Sequence, residues 1–90
     1  MDRKCKAFEE LLNIMVELRE KCPWDRKQTM ETLRPLTIEE TYELCDAVMM
    51  SDISDIKKEL GDLIMHITFY ARIAEEQGLF DIGDVLNSVC

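Results

Sequence analysis

Between Leu60 and Ala74 the only residues that are neither apolar nor aromatic are Gly61, Asp62, His66, Thr68 and Arg72. At helical spacing the apolar positions of this stretch point nearly all round the axis, and a helix of that kind is buried on several sides. A chain of 90 residues removes only about 60–65% of its unfolded surface from water, too little to bury such a helix so completely alone. The stretch therefore predicts self-association, with this helix at or near the subunit interface.

Composition narrows the fold that surrounds it. A hydrophobic content of 47% is too high for a disordered chain. With 3 Gly and 2 Pro there are too few turn residues for a β-sandwich or barrel. The expectation is an all-α fold: one domain spanning residues 1–90, a helical bundle of about four to five helices completed by oligomerisation. It stands alone or as one domain of a longer protein.

The formal net charge of −8 argues against binding a nucleic acid polymer, since a phosphate backbone requires a mediating cation here. Cys5, Cys22, Cys45 and Cys90 are widely spaced, with no CxxC pair and a single His, so a zinc site is not expected. Dispersed cysteines and the absence of a signal-peptide pattern fit a cytoplasmic protein. No apolar run is long enough for a membrane partner to be expected.

The elements follow in order. Phe8, Leu11, Leu12, Met15 and Leu18 have helical spacing within a first helix from about Lys4 to Glu20. Pro23 disfavours helical geometry at Cys22 and ends it. Asp25 and Gln28 have capping-box spacing, which predicts a short helix from Arg26 to near Pro35. Thr37 and Glu40 form a second such box, predicting a long helix to about Met50 that buries Ile38, Thr41, Tyr42, Cys45, Val48 and Met49. Ser54 is the expected N-cap of a third helix running to about Gln77, and Gly78 its stop. Leu79 and Phe80 are expected to fold back onto the core, and Asp81 with Asp84 to cap a last helix.

Two acidic pairs stand out from this scaffold. Glu40 and Glu43 are three apart, as are Glu59 and Asp62, so each pair shares a helix face. Two such helices side by side would aim four carboxylates into one groove. Clustered acids bind protons at neutral pH unless something positive lies among them. A hard divalent cation with oxygen ligands is the simplest candidate. Each pair also has a purely structural account. Acids in a first helical turn answer the macrodipole, and Glu40 has the position to close its box. Asp62 has Arg72 or a lysine of another helix as alternative partners. Gly61, between the acids, predicts close approach of another backbone or a ligand. His66 reads as a substrate contact or as a satisfied core histidine. Trp24 reads as a lid on the core or as a stacking surface for a base.

Cys22-Pro23-Trp24-Asp25, Gln28-Thr29, Leu33-Arg34-Pro35, Glu39-Glu40-Thr41-Tyr42-Glu43, Glu59-Leu60-Gly61-Asp62-Leu63 and the Phe69–Glu76 segment together resemble the MazG family of nucleoside triphosphate pyrophosphohydrolases. The resemblance runs from about Phe8 to Leu86. It implies an all-α fold assembled as a homodimer or tetramer, and Mg2+-dependent hydrolysis, with Mn2+ as an alternative metal, of nucleoside triphosphates to monophosphate and pyrophosphate. It assigns Glu40, Glu43, Glu59 and Asp62 as metal ligands, and it implies a catalytic role for Glu39, holding a second metal or orienting the attacking water. Trp24, Lys58, His66 and Arg72 are the expected substrate contacts, with Lys57, Arg26, Lys27 and Arg34 as further basic candidates for the phosphates. Family members often carry a basic tail and a second related domain beyond the last helix, whereas this sequence ends at Cys90. The alternative is a non-catalytic nucleotide-binding or oligomerisation module of the same fold.

Overall fold

A computed structural model describes residues 2–90. Five helices follow one another among them: α1 Arg3–Lys21, α2 Pro23–Lys27, α3 Met30–Met49, α4 Ile53–Glu76 and α5 Ile82–Val89. No strand occurs among the described residues, and no helix is long and apolar enough to cross a membrane.

The first helix begins where Asp2 Oδ1 accepts from the amides of Lys4 and Cys5. It ends at Cys22, ahead of the proline that opens α2. That proline occupies the first helical turn, where its missing N–H costs nothing. Asp25 does not cap a helix. It lies inside α2, buried.

The largest departure from expectation is α3, which starts at Met30 and runs straight through Pro35. Thr29 is its N-cap, in a capping box with Thr32. Pro35 leaves one carbonyl in the ladder unpaired, that of Glu31, a solvent-exposed residue. Because α3 is already under way there, Thr37 is not a cap and Glu40 does not close a box. The Thr37 hydroxyl turns inward, toward Leu33, His66 and Tyr70.

A short turn then reverses the chain. Ser51 has φ +54°, a left-handed position. The amides of Ser51 and Asp52 bond back to the carbonyls of Val48 and Ala47, closing a Schellman motif. Asp52, not Ser54, caps α4 by accepting from the Asp55 amide. The α3–α4 hairpin is antiparallel: Thr37 meets Tyr70 near its open end, while Glu43 meets Glu59 nearer the turn. At the other end of α4 Gly78 has φ +71°, and its amide and that of Leu79 bond to Glu75 and Ala74. Asp81 and Asp84 cap α5 reciprocally, as their spacing predicts.

The core is small. Met15, Leu33, Phe69 and Ile73 are buried, with Met30, Leu36, Met65 and Tyr70 packed against them. The stripe expected to be buried on the second long helix is instead exposed: Ile38, Thr41, Tyr42, Cys45, Val48 and Met49 all face outward. The helix turns Leu33, Glu40, Leu44 and Ala47 toward α4 instead. Leu60, Ile64 and Ile67 of α4 are also exposed, so the all-round apolar character of α4 finds no cover within one chain. Leu79 and Phe80 do not fold back and remain exposed, since the Schellman turn directs them away from the core.

Candidate metal centre

Antiparallel packing of α3 on α4 brings the two acidic pairs together. Glu40, Glu43 and Glu59 each offer a carboxylate oxygen within 4.8 Å of the others. Glu59 is the buried member at 7% exposure. Asp62, expected to be the costly buried acid, is half-exposed. It joins the group through Lys58, whose Nζ lies 3.1 Å from Glu59 Oε1 and 3.1 Å from Asp62 Oδ2. The lysine that answers Asp62 thus comes from its own helix, one turn earlier.

The electrostatics are those of a cluster short of positive charge. Burial, and then the charges of Asp62 and Glu59, hold the Glu40 carboxyl above its ordinary value. Close approach of the Glu59 carboxyl, and then the Glu40 charge, does the same to Glu43. Hydrogen bonds to Asp62 and Glu59 raise the Lys58 ammonium. Glu40 Oε2 and Glu59 Oε2 are both buried without a hydrogen-bond partner. Buried carboxylate oxygens left unpaired are costly, and a hard divalent cation is the ligand that an all-oxygen donor set of this kind accommodates.

The cluster lies between two clefts. One, of about 200 Å³, is lined by Trp24, Asp25, Leu33, Glu40, Asp62, Met65, His66 and Phe69. The other is bounded by Glu43 and Glu59 together with Asp46, Asp52 and Asp55. Trp24 and His66 therefore share a wall with two of the acids. Asp25, Asp52 and Asp55 are not among the residues that the two acidic pairs single out. The first was hidden by its cap-like spacing. Asp55, one helical turn before Glu59, carried a signal in its position.

Two expected residues lie elsewhere. Arg72 is ten residues beyond Asp62, which turns it about 80° away round the helix. It pairs with Glu75 and Glu76, each at 3.5 Å, and borders a cavity between α1 and α5. It is therefore not a neighbour of the carboxylates in this chain. Glu39 is exposed beside Glu40 and outside the three-acid group. At Gly61 an added Cβ would meet nothing within 4 Å, so no other element of the chain approaches it closely.

Fold and cluster define an all-α domain with a carboxylate site suited to a divalent cation. Comparison with known proteins identifies its family. Residues 28–90 match the MazG nucleotide pyrophosphohydrolase domain, and the chain belongs to that family. It is 45% identical over 85 residues to a nucleoside triphosphate pyrophosphohydrolase of Escherichia coli K12, covering 91% of this chain and 32% of that protein. It is 49% identical over 84 residues to nucleoside triphosphate pyrophosphohydrolase/pyrophosphatase MazG of Thermotoga maritima, covering 91% and 33%. The chain thus spans about a third of the length of these curated relatives. The crystal structure of a mazG-related protein from Thermotoga maritima superposes with a TM-score of 0.79 at 32% identity, covering 90% of this chain and 71% of that one.

Proposed function

We propose that this domain hydrolyses nucleoside triphosphates to monophosphate and pyrophosphate, using a divalent metal, Mg2+ or alternatively Mn2+, held by Glu40, Glu43, Glu59 and Asp62. The observation that carries the reading is the pair of unpartnered buried oxygens on Glu40 and Glu59, in a group where the Glu40 and Glu43 carboxyls are held above their ordinary value. Lys58 already stands among these acids as a cation, which supports a site that takes positive charge. When bound, the metal supplies Lewis acidity toward phosphate oxygens and water.

The residues divide the remaining work. Trp24, half-exposed at the cleft wall, offers an aromatic face to a base. Lys58 contributes positive charge toward the phosphates. His66 faces the sugar or base from the same cleft. Glu39, exposed beside the ligands, is the candidate base for the attacking water. Arg72 serves the Glu75–Glu76 pairs rather than the substrate. The exposed apolar faces of α3 and α4 support self-association as dimer or tetramer. The net charge of −8 supports a small anionic substrate taken through metal rather than a nucleic acid polymer. The dispersed free cysteines support a cytoplasmic site of action.

The test is pyrophosphate release from a panel of ribo- and deoxynucleoside triphosphates, with Mg2+ and with chelator, for wild type and Asp62→Ala. Metal-dependent release that disappears in the variant is the expected result. No release from a folded, self-associated wild type would make the chain a non-catalytic module of the family.

A further inference from the structure

The Thr37 hydroxyl has three neighbours at hydrogen-bond distance: the Leu33 carbonyl at 3.1 Å, His66 Nδ1 at 2.9 Å and the Tyr70 hydroxyl at 2.6 Å. A hydroxyl carries one proton and two acceptor lone pairs. The Leu33 carbonyl can only accept, so the single Thr37 proton goes to it. The other two contacts are then hydrogen bonds only if Tyr70 and His66 donate. A proton on Nδ1 leaves Nε2 of the neutral ring as an acceptor. With Nδ1 turned to Thr37, Nε2 is the polar atom His66 has left for the cleft it lines.

We infer that Thr37 and Tyr70 hold His66 as its Nδ1–H tautomer, so that Nε2 accepts a hydrogen bond from a sugar hydroxyl of the bound nucleotide. The inference rests on the nucleotide reading above and adds the role of one residue to it. His66 lies four residues beyond Asp62, about 6 Å along α4, in the cleft that also holds Trp24 and Glu40. With the triphosphate at the carboxylates and the base against Trp24, the sugar is the portion that meets this ring. Its hydroxyls can donate to Nε2. Phosphate oxygens only accept, so the same tautomer gives them nothing to bind. Thr37 and Tyr70 are positioning residues, acting only through the ring.

Two measurements test this. His66 is the only histidine, so 15N NMR of the neutral ring reads its tautomer without ambiguity. A protonated Nδ1 and an unprotonated Nε2 are expected in wild type and Thr37→Ser, and a mixture of tautomers in Thr37→Val. An Nε2–H ring in wild type overturns the inference. The second measurement compares kcat/KM for a deoxynucleoside triphosphate and its 2′,3′-dideoxy counterpart. His66→Asn keeps an N–H toward Thr37 but has no atom in place of Nε2. Wild type is expected to favour the hydroxyl-bearing substrate about tenfold, the scale of one hydrogen bond, and His66→Asn to show no preference. An equal preference in both proteins overturns the inference. Absence of turnover with either sugar counts against the pyrophosphohydrolase reading. The comparison is then made on binding affinity with Mg2+ present, and equal wild-type affinity for the two sugars overturns the role of His66.

Discussion

Arg19 and Glu76, 57 residues apart in sequence, meet in a two-pronged pair: Nε to Oε2 at 3.0 Å and Nη2 to Oε1 at 2.6 Å. The remaining nitrogen, Nη1, donates to the carbonyls of Asp25 at 2.7 Å and Gln28 at 2.9 Å. The guanidinium also lies 5.8 Å from the centre of the Phe69 ring. One side chain thus ties α1, the α2 loop and the end of α4 together. Lysine has one point charge and cannot reproduce the planar fork. Arg19→Lys is expected to cost about 2 kcal/mol, a fall of roughly 8–16 °C in Tm for a domain of this size, measured by circular dichroism melting.

The same pair sets an acid limit on stability. The hydrogen bond from Arg19, opposed in part by burial, holds the Glu76 carboxyl below its ordinary value. Its contribution is therefore complete above the ordinary carboxylate range and is lost as pH falls through the lowered folded value. Urea unfolding across that range is expected to show a loss of stability toward acid that Glu76→Gln reduces. An unchanged acid slope in the variant would assign the loss to other carboxylates.

The two ends of the α3–α4 hairpin make opposite backbone predictions. Ser51 holds φ +54° with a side chain that disfavours it, and Gly78 holds φ +71° without one. Ser51→Gly is expected to stabilise by up to about 1 kcal/mol and Gly78→Ala to destabilise by about the same. Thermal unfolding of both variants checks the signs, and a neutral Gly78→Ala would mean that the turn relaxes.

The Gly78 stop and the Asp81–Asp84 cap are readable from sequence because each is set within one turn of chain. The helix boundaries near Pro35 are not, because Asp25 with Gln28 and Thr37 with Glu40 have the spacing of caps and neither pair caps a helix. Thr29 with Thr32 starts α3, while Thr37 with Glu40 has the spacing of a start but lies inside a helix already formed. The acidic pairs were legible since their i,i+3 spacing survives the boundary error. That Glu59, not Asp62, is buried depends on which face of α4 meets α3. Periodicity could not choose that face, because apolar residues surround α4 almost completely. Periodicity alone likewise assigns the exposed stripe of α3 to the core. Sequence proximity links Arg72 to the acids, and helical rotation separates them.

The exposed faces predict how the chain assembles. Tyr42 is 69% exposed, and Ile38, Val48, Leu60, Ile64 and Ile67 are also solvent-facing. Apolar residues in contiguous exposed patches mark association surfaces. Ile64→Glu is expected to shift the protein toward monomer in sedimentation velocity while α-helical circular dichroism persists. A wild type that is monomeric at high concentration would remove the basis for this expectation.

Stability and function should pull in opposite directions at the acid cluster. Glu40 has a buried oxygen without a partner and lies beside Glu43 and Glu59. Glu40→Gln removes one of the repelling charges while keeping the shape. Without metal, the variant is expected to melt several degrees above wild type. With metal the order should reverse. A ligand at a hundred times its Kd stabilises by about 2.7 kcal/mol, and the variant, lacking a ligand charge, should lose most of that gain along with pyrophosphate release. Differential scanning calorimetry with Mg2+ and with chelator measures both effects in one series. A variant that melts below wild type in chelator would show that the Glu40 carboxylate supports the fold itself, for then its charge would be satisfied by the protein and not held ready for a cation.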